Sequence, residues 1–321
     1  MAIIAIDLGG TKSSAALMSP TGAIFNRQKT EISRKTGAFV SEILQKQIKK
    51  LTKVADDEGK QVTAIGVSVP GIFNTANGKV WAPNIAGWED YPLKQELQNV
   101  VPDIPINIDS DRTCYILGEV WQGNAKNSRN AIFLAVGTGI GAGILADGRV
   151  LHGQSNIAGA TGWMALNRVY RPEYKRFGCF EYHASGDGLA RVARDLVNSA
   201  PDYYGLLRRP LPENITSYDV FEAYEAGDTL AITVINQAVE YWSMAAANYI
   251  SIFNPEVLIF GGGIFGPAKK FIPQIRAEAN RWAQPIAFRE TRIEASKIGN
   301  EAGLYGAGKL ALIKNEEGVL E

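Results

Sequence analysis

The 321 residues contain only two cysteines, Cys114 and Cys179, and only two histidines, His152 and His183. Two thiols in so long a chain cannot supply the disulfide framework of a small secreted domain. Charge of one sign is also missing, because 33 basic residues balance 33 acidic ones. A dedicated nucleic-acid binder carries a basic excess, so no nucleic-acid partner is expected. Long apolar runs are lacking as well: residues 131–146 are interrupted by Gly137, Gly139, Gly141 and Gly143 and fall short of the roughly 20 residues of a membrane span. At the N-terminus Asp7 stops the run Ile3, Ile4, Ile6, with no basic segment ahead of it, unlike a secretory signal. These absences predict a cytoplasmic protein with reduced thiols and no membrane partner.

What is present is ordinary globular composition, 46% apolar and 21% charged, in a chain long enough for two domains. The most informative pattern is an internal echo. Ile3–Leu8 runs through Gly9-Gly10-Thr11-Lys12 into apolar Ser14–Met18 and a turn. Ala131–Val136 runs through Gly137-Thr138-Gly139 into Ile140–Leu145 and another turn. Each copy reads as strand, glycine-rich hairpin, strand. Repetition at about half the chain length predicts two domains of like topology rather than a solenoid.

Between and after the copies, helix and strand signals alternate, as in α/β layers. Residues 39–58, 112–122, 189–199, 230–252 and 271–282 read as helices; 64–69, 104–108 and 257–260 read as strands. Residues 301–313 are helix-like despite Gly303, Gly306 and Gly308, and residues 198–217, with their prolines, read as a surface loop.

Asp7-Leu8-Gly9-Gly10-Thr11-Lys12 joins a strand end, two glycines, a hydroxyl and a cation. Glycines there let backbone approach phosphate, with positive φ expected, and exposed N–H groups bind anions. One such hairpin is as often structural as functional. Two at matching places in a duplicated chain point to phosphate clamping by Gly9, Gly10, Thr11, Lys12, Gly137, Thr138 and Gly139. Gly261-Gly262-Gly263 follows a buried strand and is either a nucleotide-facing turn or a tight connection. No Gly-Lys-Ser/Thr follows at P-loop spacing.

These segments resemble the ROK family (repressors, open reading frames, kinases). Asp7–Lys12 is similar to its first phosphate motif, residues 136–143 to its second, and Gly261–Gly263 to its adenosine motif. Val69-Pro70-Gly71, Ala82-Pro83-Asn84, Leu117-Gly118-Glu119, Gly178–Glu181, Asn254-Pro255-Glu256 and Ala302–Ala307 continue the likeness in order along nearly the whole chain. The resemblance implies an α/β, two-lobed actin-like ATPase (ribonuclease-H-like) fold with duplicated domains. One lobe would comprise 1–111 plus 302–321, the other 112–301. It also implies an ATP-dependent hexose kinase, with Mg²⁺ held by Asp7, Lys12 facing phosphate, a sugar as substrate, transfer to the 6-OH, and a homodimer.

Family members carry Asn-Asp eight residues before the Glu that follows Leu-Gly. Here that position is Asp111, with Ser110 replacing Asn. Asp111 is therefore the expected base, its bland alternative being a helix N-cap. Asp109 is expected to be structural or a neighbour of the site. Asn84, Ser110, Asp111 and Glu181 match sugar-side positions.

Two departures stand out. The family's zinc segment is reduced to Gly178-Cys179, with Pro172, Tyr174 and Trp163 at the other ligand positions, so no zinc is expected. Packing by Trp163, Tyr170, Tyr174 and Phe177 would hold that loop, with both histidines as ordinary loop residues. The pattern Ala-Gly-Glu-Ile-Gly-His becomes Ala158-Gly159-Ala160-Thr161-Gly162-Trp163. Ala160 removes a carboxylate and Trp163 replaces an imidazole near C1 and C2 of the sugar, where Trp163 is either core or a pocket wall. The family's repressors place a helix-turn-helix ahead of the first phosphate motif, which starts here at Asp7, so a kinase is expected over a regulator. The remaining alternative is a catalytically weak sugar-binding or regulatory ROK protein.

Overall fold

The computed structural model describes residues 1–32, 36–209 and 211–313. The eight terminal residues assigned above to the first lobe, and Pro210 of the surface loop, lie outside them. The first elements in chain order are β1 (Ala2–Leu8), β2 (Lys12–Met18), β3 (Ile24–Glu31), α1 (Gly37–Asp57), β4 (Val62–Val69), β5 (Ile72–Asn74), β6 (Lys79–Trp81), α2 (Leu93–Gln98), β7 (Ile106–Ser110) and α3 (Asp111–Gln122). There follow β8 (Ala131–Val136), β9 (Ile140–Ala146), β10 (Arg149–Val150), α4 (Tyr174–Phe177), α5 (Cys179–Ala184), α6 (Gly186–Ser199), α7 (Ser217–Glu225) and α8 (Thr229–Phe253). The last are β11 (Val257–Gly261), α9 (Ile272–Ala279), α10 (Pro285–Glu290), β12 (Arg292–Ala295) and α11 (Ala302–Ala311). Among the described residues no helix is long and apolar enough to cross a membrane.

The echo in the sequence is an echo in topology. One five-stranded sheet has the order β3-β2-β1-β4-β7 and the other β10-β9-β8-β11-β12. In the first, β1–β2 and β2–β3 pair antiparallel while β1–β4 and β4–β7 pair parallel. In the second, β9–β10 is antiparallel and β8–β11 and β11–β12 are parallel. This is the duplicated ribonuclease-H-like arrangement.

The chain forms two compact units. The first holds Met1–Arg129, Gly143–Ala158 and Asn300–Glu321; the second holds Asn130–Ala142 and Gly159–Gly299. The division thus falls after Arg129 rather than after Asp111, and α3 stays with the first unit.

The packing of α11 explains that assignment. A side chain on Gly306 would collide with the Cys114 carbonyl of α3, and one on Gly118 of α3 would collide with the Ala302 carbonyl. The two helices meet backbone to backbone. Each helical glycine costs about 1 kcal/mol against alanine, and this close approach is what the glycines of α11 make possible.

Within the first unit β1 is buried on both faces, as its unbroken apolar run requires. Ala2, Ile4, Ile6 and Leu8 join the core beneath α1, packing with Val40, Leu44, Ile48 and Leu51. Ile3 and Ala5 face the other way, onto Leu304 and Ala307 of α11. Edge strand β3 alternates between half-buried and exposed residues, as an edge should. In the second unit α8 runs from an Asp228 cap to Asn254, which ends it in the left-handed region at φ 45°.

Candidate active site

In the first unit the parallel strands align Asp7 of β1 with Ser68 of β4, and Ser68 with Asp109 of β7. All three lie at the C-terminal ends of their strands, where α/β sheets place ligands. The chain then enters α3. Ser110 caps that helix, its Oγ accepting from the Thr113 N–H at 3.3 Å. The cap that Asp111 was open to is therefore taken. Ser110 is buried, and its hydroxyl donates to Thr113 Oγ1 at 3.2 Å.

Asp111 instead accepts from the Arg112 N–H through Oδ1 at 2.8 Å and is hydrogen-bonded by Tyr115 one helical turn on. Burial pushes its carboxyl up to about 6, against the pull of Arg112 and these hydrogen bonds. Asp7 is likewise raised to about 6, first by burial; the Ser68 hydroxyl opposes this and the negative charge of Asp111 adds to it. Two carboxyls that resist ionisation, one against the other, form an anionic oxygen corner suited to a cation such as Mg²⁺, which takes one or two carboxylates and completes its shell with water and phosphate.

Gly303 near the start of α11 abuts this corner. A Cβ there would lie 2.5 Å from Asp7 Oδ1, so the helix approaches the carboxylate only because the residue is glycine. Arg27 of β3 and Glu301, just ahead of α11, form a two-pronged ion pair that fixes the helix start.

The seven glycines expected at phosphate separate into kinds. None of Gly9, Gly10, Gly137 or Gly139 has positive φ, contrary to the expectation. Their hairpins close instead through Gly9 N–H to the Lys12 carbonyl and Gly137 N–H to the Gly139 carbonyl, both at 2.9 Å. Space is the better explanation: a Cβ on Gly10, Gly137 or Gly263 would meet nothing within 4 Å. Backbone there is open to a bulky anion. By contrast Gly262, at φ +86°, would press a Cβ into the Val136 carbonyl, and Gly261 would press one into the Phe133 ring. Those two serve the strand-to-turn connection. Thr11, Lys12 and Thr138 are exposed on the hairpin tips.

In the second unit Glu181 lies in the first turn of α5, not in a loop, and accepts from the Ile140 N–H at 2.7 Å. Burial raises its carboxyl, while Ile140 and then Arg191 hold it down. The same carboxylate flanks Gly139, where a Cβ would sit 2.7 Å from Oε2. Gly186 and Asp187 at the start of α6 donate to the Gly137 and Thr138 carbonyls at 2.7 and 3.3 Å. The second hairpin is thus tied to both α5 and α6.

Ala160 precedes a single helical turn, Thr161–Trp163, and Trp163 is 56% exposed. It is not core. Asn84 is exposed at the tip of the loop that Trp88 underpins from below, where the indole donates to the Gly37 carbonyl at 3.0 Å.

Where the zinc segment would stand, buried Tyr174 reaches His183 Nε2 at 2.7 Å, and His183 stacks on Tyr241 with centroids 4.5 Å apart. Tyr182 and Phe177 extend the cluster. Trp163 is exposed, so the packing role belongs to Tyr174 and Phe177 with His183, Tyr182 and Tyr241, and the exposed Tyr170 ring meets Tyr174 edge-on at 6.2 Å. His183 is no loop residue: it is buried in α5, and burial holds its pKa down to about 4. Among the described residues no three His, Cys, Asp or Glu side chains converge to hold a metal ion.

Sequence reading missed Tyr115, Gly303 and the pairing of His152 with Asp109. The four-residue step from Asp111 to Tyr115 was a legible signal on a helix. The other two are long-range contacts with no local mark.

Residues 3–314 match the ROK family. The chain belongs to it. A glucokinase from Halalkalibacterium halodurans is 28% identical over 99% of this chain and 96% of its own length. A beta-glucoside kinase from Listeria monocytogenes is 30% identical over 96% of each. Among solved structures, a ROK family glucokinase from Streptomyces griseus in complex with glucose and AMPPNP superposes with a TM-score of 0.77 at 26% identity, covering 97% of this chain and 99% of that one.

Proposed function

We propose that this ROK protein is an ATP-dependent hexose kinase that transfers the γ-phosphoryl group to the 6-OH of a hexose. The observation that carries the reading is the division of labour at β7–α3: Ser110 caps the helix and leaves Asp111 a half-buried carboxylate whose charge is felt by Asp7. Asp111 takes the proton as the sugar oxygen bonds to phosphorus and the bond to ADP breaks. Arg112 N–H and Tyr115 keep the accepting carboxylate aimed. Lys12 and the open hairpin backbone at Gly10 are the first unit's groups for phosphate oxygens. Asp7 would hold Mg²⁺, directly or through water; the ion would neutralise charge on the transferring group. Most of the catalysis is then positioning and charge neutralisation.

Substrate follows from the other departure. With Ala160 in place of a carboxylate and Trp163 an exposed indole, the C1/C2 end offers volume and an apolar face rather than an acceptor. The beta-glucoside kinase relative acts, by its name, on a sugar substituted at C1. We therefore expect a hexose bearing a substituent at C1 or C2 to surpass free glucose in kcat/KM. A coupled ADP-release screen over glucose, C1 glycosides, N-acetylhexosamines and cyclitols tests this. No turnover of any of them sinks the kinase reading, and glucose as clear best substrate sinks the pocket reading. The same reading expects a homodimer, which light scattering checks.

A further inference from the structure

Asp109 is a carboxylate beside the base that the reaction above does not use. Its Oδ1 accepts from the Ser110 N–H at 2.7 Å, and its Oδ2 lies 2.7 Å from His152 Nε2. The Val150 carbonyl also accepts from the His152 ring. When the imidazole is protonated, the 2.7 Å contact with Asp109 is a charge-assisted one.

The two partners are separated by 43 positions in sequence and belong to the same compact unit. Asp109 stands in the strand row of Ser68 and Asp7, two positions before Asp111. His152 follows β10 and opens a loop that closes on itself, the Ala158 N–H donating to the His152 carbonyl at 3.0 Å. Within the loop Gly153 and Asn156 take φ of +69° and +55°, so its path is set by conformations few residues adopt. The chain leaving the loop is Gly159, Ala160, then the turn that carries Trp163.

We propose that His152 and Asp109 are a positioning pair, an ion pair that pins the start of the sugar-side segment to the strand that delivers Asp111. It rests on the kinase reading for its consequence, though not for its existence. The pair acts on the sugar rather than on the chemical step, because neither side chain is placed on the transferring group.

The arrangement has a pH signature. Asp109 is the charged group facing the ring; its hydrogen bond raises the His152 pKa above 6.5, with burial opposing and the Val150 carbonyl assisting. The ion pair is therefore present below that raised value and lost as pH rises through it.

Two experiments decide it. The chain has only two histidines, and the other titrates near 4, so ring-proton NMR resolves both. His152 should titrate above 6.5 and fall back toward the ordinary value in Asp109→Asn, with His183 unmoved. Amide exchange across residues 152–158 should quicken in His152→Gln. In steady-state kinetics His152→Gln should raise the sugar KM about tenfold with a smaller change in kcat, and lose the rise in KM with pH. His152→Arg, a cation at every pH, should keep KM low as pH rises. A His152 that titrates at the ordinary value, or a His152→Gln protein with unchanged amide exchange, overturns the pair. Wild-type KM and pH profile in His152→Gln overturn its role. If no sugar is phosphorylated at all, the NMR and exchange results still stand, and only the kinase reading has failed.

Discussion

The two glycine hairpins occupy the same place in the two sheets, yet their surroundings differ in kind. Behind the first stand Asp7 and Asp111, both raised to about 6 by burial, with Lys12 on the hairpin itself. Behind the second stands Glu181, also raised by burial but hydrogen-bonded by the Ile140 N–H, while the hairpin's carbonyls are held by the start of α6. Duplication supplied one scaffold twice. The first copy gathers two carboxyls and the Lys12 ammonium, and the second spends its polar groups on fixing backbone. Burying carboxyls is costly, and that cost falls on two groups at the first site and on Glu181 at the second.

The sharpest break of this contrast is Asp111→Asn. Turnover should fall by two or more orders of magnitude, roughly the weight of a general base, while ATP and sugar still bind. The same change in the second site, Glu181→Gln, keeps an acceptor for Ile140 and should cost less than about tenfold, mostly in KM. Equal losses in kcat from both would erase the distinction.

Acidity sharpens it further. Because the Asp111 carboxyl sits near 6, kcat/KM should fall about tenfold per pH unit below that value as the base takes up its proton. Stability should move the other way. A carboxyl raised from 3.8 to about 6 in the fold contributes stability fully present below 3.8 and lost as pH rises through 6. Asp111→Asn should accordingly raise Tm at pH 7.5 and leave it little changed near pH 4. A Tm lowered at pH 7.5 would show that the carboxylate stabilises the fold.

A third test separates open glycines from structural ones. Gly262→Ala places a Cβ in the left-handed region and against the Val136 carbonyl, and should destabilise by about 1–3 kcal/mol. Gly10→Ala meets no neighbour, should leave stability within about 0.5 kcal/mol of wild type, and should weaken ATP binding. Denaturant melts paired with nucleotide titrations check both; a stable Gly262→Ala that loses ATP would reverse the assignment.

The smallest effect is expected from Trp163→Ala. An indole 56% exposed contributes little to the fold, so stability should shift by less than about 0.5 kcal/mol. The loss should fall on kcat/KM for a C1- or C2-substituted hexose more than for glucose. A large drop in Tm with no change in substrate preference would make Trp163 a packing residue after all.

By itself the sequence determined the duplicated α/β fold, because strands buried on both faces must be continuously apolar and glycine hairpins punctuate them visibly at 9–10 and 137–139. It also determined the order of the motifs and the register of Asp111 before Glu119, since spacing along one helix is a local property. Only the tertiary structure decided which of two neighbouring carboxylates is committed to a partner. Asp109 meets His152 across the fold, and Ser110 rather than Asp111 takes the cap. Likewise it decided that α11 needs its glycines for contact with α3 and Asp7, that Gly10 lies open while Gly262 is constrained, and that His183 is buried among tyrosines. Periodicity records which face of an element is apolar; it carries no record of which distant atom will lie 2.7 Å away, because that distance is set by how whole elements pack.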